Sequence, residues 1–191
     1  MNYSAGMGKI AGYRKEISEL RQKMRAVQAE MEPQVVQDYV FSTLDGRRKL
    51  SELFGGKDDL ILIHNMGTKC SSCTLWADGF NGVYPHLVDR AAFVVTSPDA
   101  PAVQQDFAKS RKWRFPMVSH EGTSFAADMG YRTPEGRWRP GVSVFRKEDG
   151  KLLRFNNAGF QPFDDFCAVW HLFDLLPGDA EWSPKSSSRI S

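Results

Sequence analysis

The sequence predicts an α/β protein, a three-layer sandwich around a mixed central sheet with an amphipathic helical arm ahead of it. Three observations predict this. Leu60-Ile61-Leu62-Ile63 is an unbroken apolar run, the composition of a strand covered on both faces, and a helical pattern follows it. Ala91 to Thr96 reads as a second buried strand, followed by a helix from Ala102 to Trp113. Val142-Ser143-Val144-Phe145 and Leu152-Leu153-Arg154-Phe155, on either side of a turn at Glu148-Asp149-Gly150, read as an antiparallel hairpin.

The arm comes first. Ile10, Tyr13, Ile17, Leu20, Met24, Val27 and Met31 alternate three- and four-residue steps, which is heptad spacing, and Pro33 limits the helix near Glu32. Three heptads are short for an independent coiled coil, so the arm either folds back on its own domain, pairs across a homodimer through residues 10–31, or binds another partner. Tyr39 and Phe41 with the turn at Asp45-Gly46 predict a leading hairpin, and Leu50, Leu53 and Phe54 a short helix.

After the first buried strand, Leu75, Trp76, Phe80, Val83, Tyr84 and Leu87 form the apolar face of a helix with a kink expected at Gly82. In the helix from Ala102, Val103, Phe107 and Trp113 are expected inward. Phe115 to Ser119 is a short strand, Thr123 to Met129 a helix closed by Gly130, and Tyr131 to Pro140 a polar loop bearing arginines. A last helix from Phe163 to Leu176 would carry Phe163, Phe166, Cys167, Trp170 and Phe173 on one face. The resulting division is an arm over 1–34, a domain over 35–180 and a disordered, serine-bearing tail over 181–191.

Composition narrows the function. The formal net charge is +2, from 25 basic and 23 acidic side chains mixed along the chain, so neither nucleic acid nor a membrane surface is expected as partner. Three cysteines are too few for a disulfide-stapled secreted scaffold, and no leader-like apolar segment opens the sequence, so a cytoplasmic location is expected. No phosphate-binding glycine loop, Gly-x-Ser-x-Gly elbow or His-Glu-x-x-His is present.

The chemistry concentrates at Lys69-Cys70-Ser71-Ser72-Cys73. A Cys-x-x-Cys pair entering a helix can close a disulfide on demand, and the unpaired N–H groups there favour a thiolate, so redox chemistry leads. Zinc would need two more ligands, and His64, His86, His120, His171 and Cys167 offer no second metal spacing; no metal or other cofactor is expected. Two thiols without chemistry are the remaining reading. Lys69, Ser71, Ser72 and His64, which ends the preceding strand, are candidates for tuning the Cys70 thiol. Cys167 is read as core.

Strand, Cys-x-x-Cys helix, strand, helix, hairpin and final helix together resemble the thioredoxin-like fold, and the leading hairpin and the elements at 115–130 resemble its peroxiredoxin-like branch. Asp38-Tyr39-Val40-Phe41, the run Cys70 to Gly82, Phe115 to Ser119 and Pro140 to Phe145 are similar to the landmarks of a bacterial family, domain of unknown function 899. That family is described as thioredoxin-like, and its members are often labelled dithiol-disulfide isomerases. The family commonly places a proline between the cysteines and a glycine before them, where this chain has Ser71, Ser72 and Lys69.

The resemblance implies Cys70 as attacking thiolate, Cys73 as resolving thiol, and Pro140 as a cis-proline facing them, with Pro140 and Gly141 presenting backbone to an extended substrate. It implies a protein or small-molecule disulfide as substrate and an external reductant. Peroxiredoxins resemble Pro-x-x-x-Thr-x-x-Cys; aligned on Cys73, this chain has Met66 for the proline and Cys70 for the threonine, which makes a peroxidase the second reading. The third is a non-catalytic binding or dimerisation module of the same fold.

Overall fold

The structure is a computed structural model that describes residues 1–178 and 182–184. The chain divides into two compact units, Met1–Pro33 and a second beginning at Gln34. In the first, helix α1 spans Tyr3–Glu30, with the Asn2 side chain accepting from the Ala5 N–H at 2.9 Å as N-cap. The helix starts two turns before the heptad stripe, and none of its residues is buried. Except for 182–184, the predicted tail lies outside the described residues.

The second unit is built on an eight-stranded mixed sheet. Its strands are β1 (Gln34–Val36), β2 (Val40–Thr43), β3 (Gly46–Lys49), β4 (Asp59–His64), β5 (Ala92–Ser97), β6 (Met117–Ser119), β7 (Gly141–Glu148) and β8 (Lys151–Gly159). They lie in the order β1-β8-β7-β4-β5-β6-β2-β3. Pairing is parallel from β4 through β5 to β6 and antiparallel elsewhere. The β7–β8 hairpin turns at Asp149 and Gly150, whose φ of 48° and 73° is the doubly positive pattern that matches strand twist.

Helices cover both faces. Helices α2 (Ser71–Arg90), α3 (Pro101–Arg111) and α5 (Ala168–Phe173) pack on one, around Ile63, Trp76, Phe93, Val95, Trp113, Phe160 and Trp170. A 3₁₀ turn, Leu50–Glu52, and helix α4, Phe125–Asp128, cover the other, around Phe41, Phe54, Leu60, Leu62, Val94 and Phe145. Alternation along β4 makes this partition: Leu60 and Leu62 serve one core, Ile63 the other.

Several local expectations are corrected. Helix α2 is continuous through Gly82, where the sequence predicts a kink, and it also carries Pro85, which no sequence expectation marks. Proline has no N–H to offer the carbonyl four residues earlier, Asn81, and the Arg114 guanidinium bonds that carbonyl instead at 2.6 Å. Val103 is 47% exposed rather than inward, because Gln104 takes the buried place and bonds Ser97 Oγ at 2.9 Å and the Val118 carbonyl at 3.0 Å. The last helix begins only at Ala168. Asp164 accepts from the backbone N–H groups of Gln161 (3.0 Å) and Phe166 (2.9 Å), competing with helical hydrogen bonds, and Phe163 adopts φ 69°. Phe163 and Phe166 are therefore exposed, while Cys167 and Trp170 are core.

A candidate dithiol site at the head of helix α2

Strand β4 ends at His64, and the chain reaches α2 through a loop that is fixed at each step. Asn65 Oδ1 accepts from Gly67 N–H (2.8 Å), the Asp99 carboxylate from Thr68 N–H (2.9 Å), and the Gly67 carbonyl from Cys70 N–H (3.1 Å). Gly67 has φ 104°, and a Cβ there would stand 3.0 Å from both Asp99 oxygens, so only glycine serves.

Cys70 is the N-cap of α2, and its Sγ accepts from the Cys73 N–H at 3.1 Å. Cys70 and Cys73 are joined as a disulfide, with Cα atoms 5.2 Å apart. The two sulfurs differ in access: Cys70 is half-buried, whereas Cys73 is 3% exposed. Thr74 returns its hydroxyl and its N–H to the Cys70 carbonyl, both at 3.0 Å, which fixes the first turn.

A cleft of about 720 Å³ opens over this turn. Met66, Lys69, Cys70, Ser71, Ser72 and Trp76 form one wall; Arg137, Trp138 and Pro140 form a second, and Phe160, Gln161 and Pro162 a third. Asp164 holds the third wall in place, accepting from Trp76 Nε1 at 3.2 Å while it ties the 161–166 loop. Trp138 is wedged between Arg132, whose guanidinium carbon lies 4.7 Å from the ring centroid, and His120 at 5.1 Å.

Lys69, Ser71, Ser72 and Pro140 thus come together around Cys70. His64 does not. Following the alternation of β4, its ring points to the face opposite α2, where it stacks on Tyr131 and Phe125 and shares a 3.0 Å hydrogen bond with Ser143 Oγ. It is 2% exposed, and burial holds its pKa well below 6.5, so this imidazole is an uncharged core group.

The expected cis-proline is also corrected: the bond before Pro140 is trans, as are all described peptide bonds. Arg139 N–H reaches the Tyr131 carbonyl at 2.9 Å and the Pro140 carbonyl accepts from Phe160 N–H at 2.9 Å, which the ordinary trans geometry satisfies. Gly141 sits between two strands, paired with His64 on one side and Gly159 on the other, so it presents no open edge to a substrate. Its glycine has another cause: a Cβ would fall 2.3 Å from Tyr131 and 2.4 Å from the Ala158 carbonyl.

Cys167, a free thiol in the core, has its pKa raised by burial. Among the described residues no group of three or more His, Cys, Asp or Glu side chains is placed to hold a metal, and no helix is long and apolar enough to cross a membrane. Arg137, Trp138, Gln161 and Pro162 are site residues that no sequence signal marks. The arginine-bearing loop is visible in the sequence, but its approach to Cys70 depends on a bridge between Arg132 and Trp138 that no local pattern announces.

The Asp78-Gly79-Phe80-Asn81 run after the cysteines serves α2 itself. Asp78 binds Arg111 and, at 2.8 Å, Trp113 Nε1, while Asn81 Oδ1 accepts from Arg114 N–H at 2.8 Å. These bonds moor the outer part of the helix to the corner after α3.

A mixed sheet covered on both faces, with a disulfide heading the helix after a central parallel strand, defines a thioredoxin-like fold of the peroxiredoxin kind. A family model described as a bacterial protein of unknown function (DUF899) matches residues 9–187, and the chain belongs to that family. Solved structures agree on the fold. A peroxidoxin, BcpB, from Mycobacterium tuberculosis superposes with a TM-score of 0.53 at 25% identity, over 66% of this chain and 84% of that one. Reduced Prx3 from Vibrio vulnificus gives 0.57 at 14%, over 74% and 96%, and a peroxiredoxin-like protein from Aquifex aeolicus 0.52 at 18%, over 66% and 74%. No curated protein matches the sequence.

Proposed function

We propose that this protein is a thiol-disulfide oxidoreductase that works through Cys70 and Cys73. The observation that carries the reading is the unequal access of two bonded sulfurs at one helix N-terminus: Cys70 faces a cleft and Cys73 is buried behind it. In the reduced protein the Cys70 thiolate, favoured by the Cys73 N–H and the positive end of α2, attacks one sulfur of a substrate disulfide. The substrate's other sulfur leaves as a thiolate and takes up a proton. Cys73, losing its own proton, then attacks Cys70 Sγ, releases the second substrate thiol and leaves the Cys70–Cys73 disulfide. An external dithiol returns two electrons and two protons to reset the pair. The cytoplasm, with its reducing pool, is the compartment that suits this direction.

The cleft supports a disulfide within a peptide as substrate. Met66, Trp138 and Pro162 offer apolar surface beside the sulfur, and Lys69 and Arg137 add positive charge at the rim. Reduction of a peptide disulfide by wild type, Cys70→Ser and Cys73→Ser tests the proposal. Both variants should lose turnover, and Cys73→Ser alone should accumulate a mixed disulfide; full turnover in either contradicts it.

The peroxiredoxin likeness favours a second reading, peroxide reduction. A thiolate would attack the peroxide, release water or an alcohol, and become a sulfenic acid that the other cysteine condenses with, giving the same disulfide and water. Cys73, the cysteine in the peroxidatic place by sequence, is the buried one, which favours disulfide exchange. Rapid peroxide consumption that leaves a sulfenic acid on Cys73 in Cys70→Ser and is lost in Cys73→Ser would reverse the order of the two.

A further inference from the structure

We propose that α1 pairs with the α1 of a second copy of this chain, and that the two helices run antiparallel. Helix α1 has 28 residues, about 42 Å of helix, and buries none of them. The six apolar residues of the heptad stripe that lie in the helix, Ile10 to Val27, are 42–61% exposed. A continuous seam of this kind on a soluble helix is a surface for another helix.

The occupant is identified by charge. In heptad terms Ile10, Ile17, Met24 and Met31 take position a, and Tyr13, Leu20 and Val27 take d. The residues just before each a position are Lys9, Glu16, Lys23 and Glu30, alternating in sign along one flank. Read in reverse, that flank is its own complement. When Ile17 of one helix packs level with Leu20 of the other, Ile10 meets Val27 and Tyr13 meets Met24. Lys9 then lies beside Glu30, and Glu16 beside Lys23, each twice by symmetry. On the other flank Arg14 approaches Arg21, so four opposite-sign pairs stand against two like-sign ones.

A parallel pair lacks this advantage. It sets Lys9 against Arg14, Glu16 against Arg21 and Lys23 against Gln28, so attraction and repulsion cancel.

Sedimentation equilibrium of the full-length chain under reducing conditions tests the proposal, with two double variants at exposed helix positions that keep helix-forming side chains. Wild type should dimerise. Lys9→Glu with Lys23→Glu makes the flank uniformly acidic and should weaken the dimer by about tenfold or more, as should Glu16→Lys with Glu30→Lys. An equimolar mixture of the two variants should restore association as a heterodimer. A monomeric wild type, or unchanged dimers in both variants, overturns the proposal. So does a tighter dimer for Lys9→Glu with Lys23→Glu, because in parallel helices the acid introduced at position 9 would face Arg14 just as Glu16 faces Arg21. Far-ultraviolet circular dichroism confirms that each variant keeps its helix.

Discussion

The rings of His64 and Tyr131 lie face to face, 3.6 Å between centroids and 15° from parallel, with His64 Nε2 bonded to Ser143 Oγ and Tyr131 Oη donating to the Val142 carbonyl at 2.7 Å. The pair lies in the core beneath the carboxyl end of β4, from which the dithiol loop departs. His120 joins it through Thr96, bonding Oγ1 at 3.1 Å on the strand next to β4. Arg154 and Arg132 lie close enough to oppose any further positive charge on these imidazoles.

Both histidines are therefore acid-labile points. Burial lowers the His120 pKa from 6.5 to about 4 and that of His64 well below 6.5. The unfolded chain binds more protons than the folded one below pH 6.5, so stability is full above that pH and falls as pH drops from 6.5 toward 4. His120 alone accounts for about 3 kcal/mol across that window. Urea unfolding at stepped pH should show the loss, and His120→Gln should reduce it, leaving the share that belongs to His64. Asp59, bonded by Arg146 and Arg90 and held below 3.8, contributes its own loss only at lower pH.

Gly141→Ala should destabilise the fold by about 3 kcal/mol or more, since the new Cβ meets the Tyr131 ring and a backbone carbonyl, neither of which can move freely. Chemical denaturation measures it. A variant within about 0.5 kcal/mol of wild type would contradict the close approach.

Gly67→Ala should cost about 1–2 kcal/mol through its positive φ and the Asp99 contact, and it should loosen the loop that presents Cys70. Faster hydrogen exchange at Thr68 and Cys70, with β5 unchanged, is the expected signature.

Trp138→Ala should raise KM for a peptide disulfide by about tenfold while leaving that for a small aliphatic disulfide within about twofold, because the indole supplies cleft wall rather than chemistry. Steady-state kinetics on both substrates separates the two effects. Equal changes would place the side chain in folding instead.

What is legible in the sequence is strong and local: four apolar residues in a row at β4, heptad spacing along α1, an Asp-Gly turn between β7 and β8, and two cysteines at a helix start. What is not legible depends on partners distant in sequence. Strand β1 has three residues and exists because Val35 pairs with Leu153. Pro85 sits inside an unbroken helix because Arg114 takes up the carbonyl it leaves free. Asp164 stops the last helix early because the Trp76 indole and two backbone N–H groups converge on its carboxylate. The roles expected of Pro140 and Gly141 rest on the fold they resemble, and their sequence neighbours do not reveal that strands flank Gly141 on both sides.

The most direct test of the dithiol is alkylation of the reduced protein by iodoacetamide from about pH 5 to about pH 9, with each modified cysteine identified by peptide mass. Cys70 should react first, along a titration curve whose midpoint lies below the ~8.5 of a free cysteine, while Cys73 and Cys167 stay protected until the chain is unfolded. A Cys70 that remains unreactive over the whole range, or a Cys73 that reacts ahead of it, would contradict the assignment of Cys70 as the attacking thiolate.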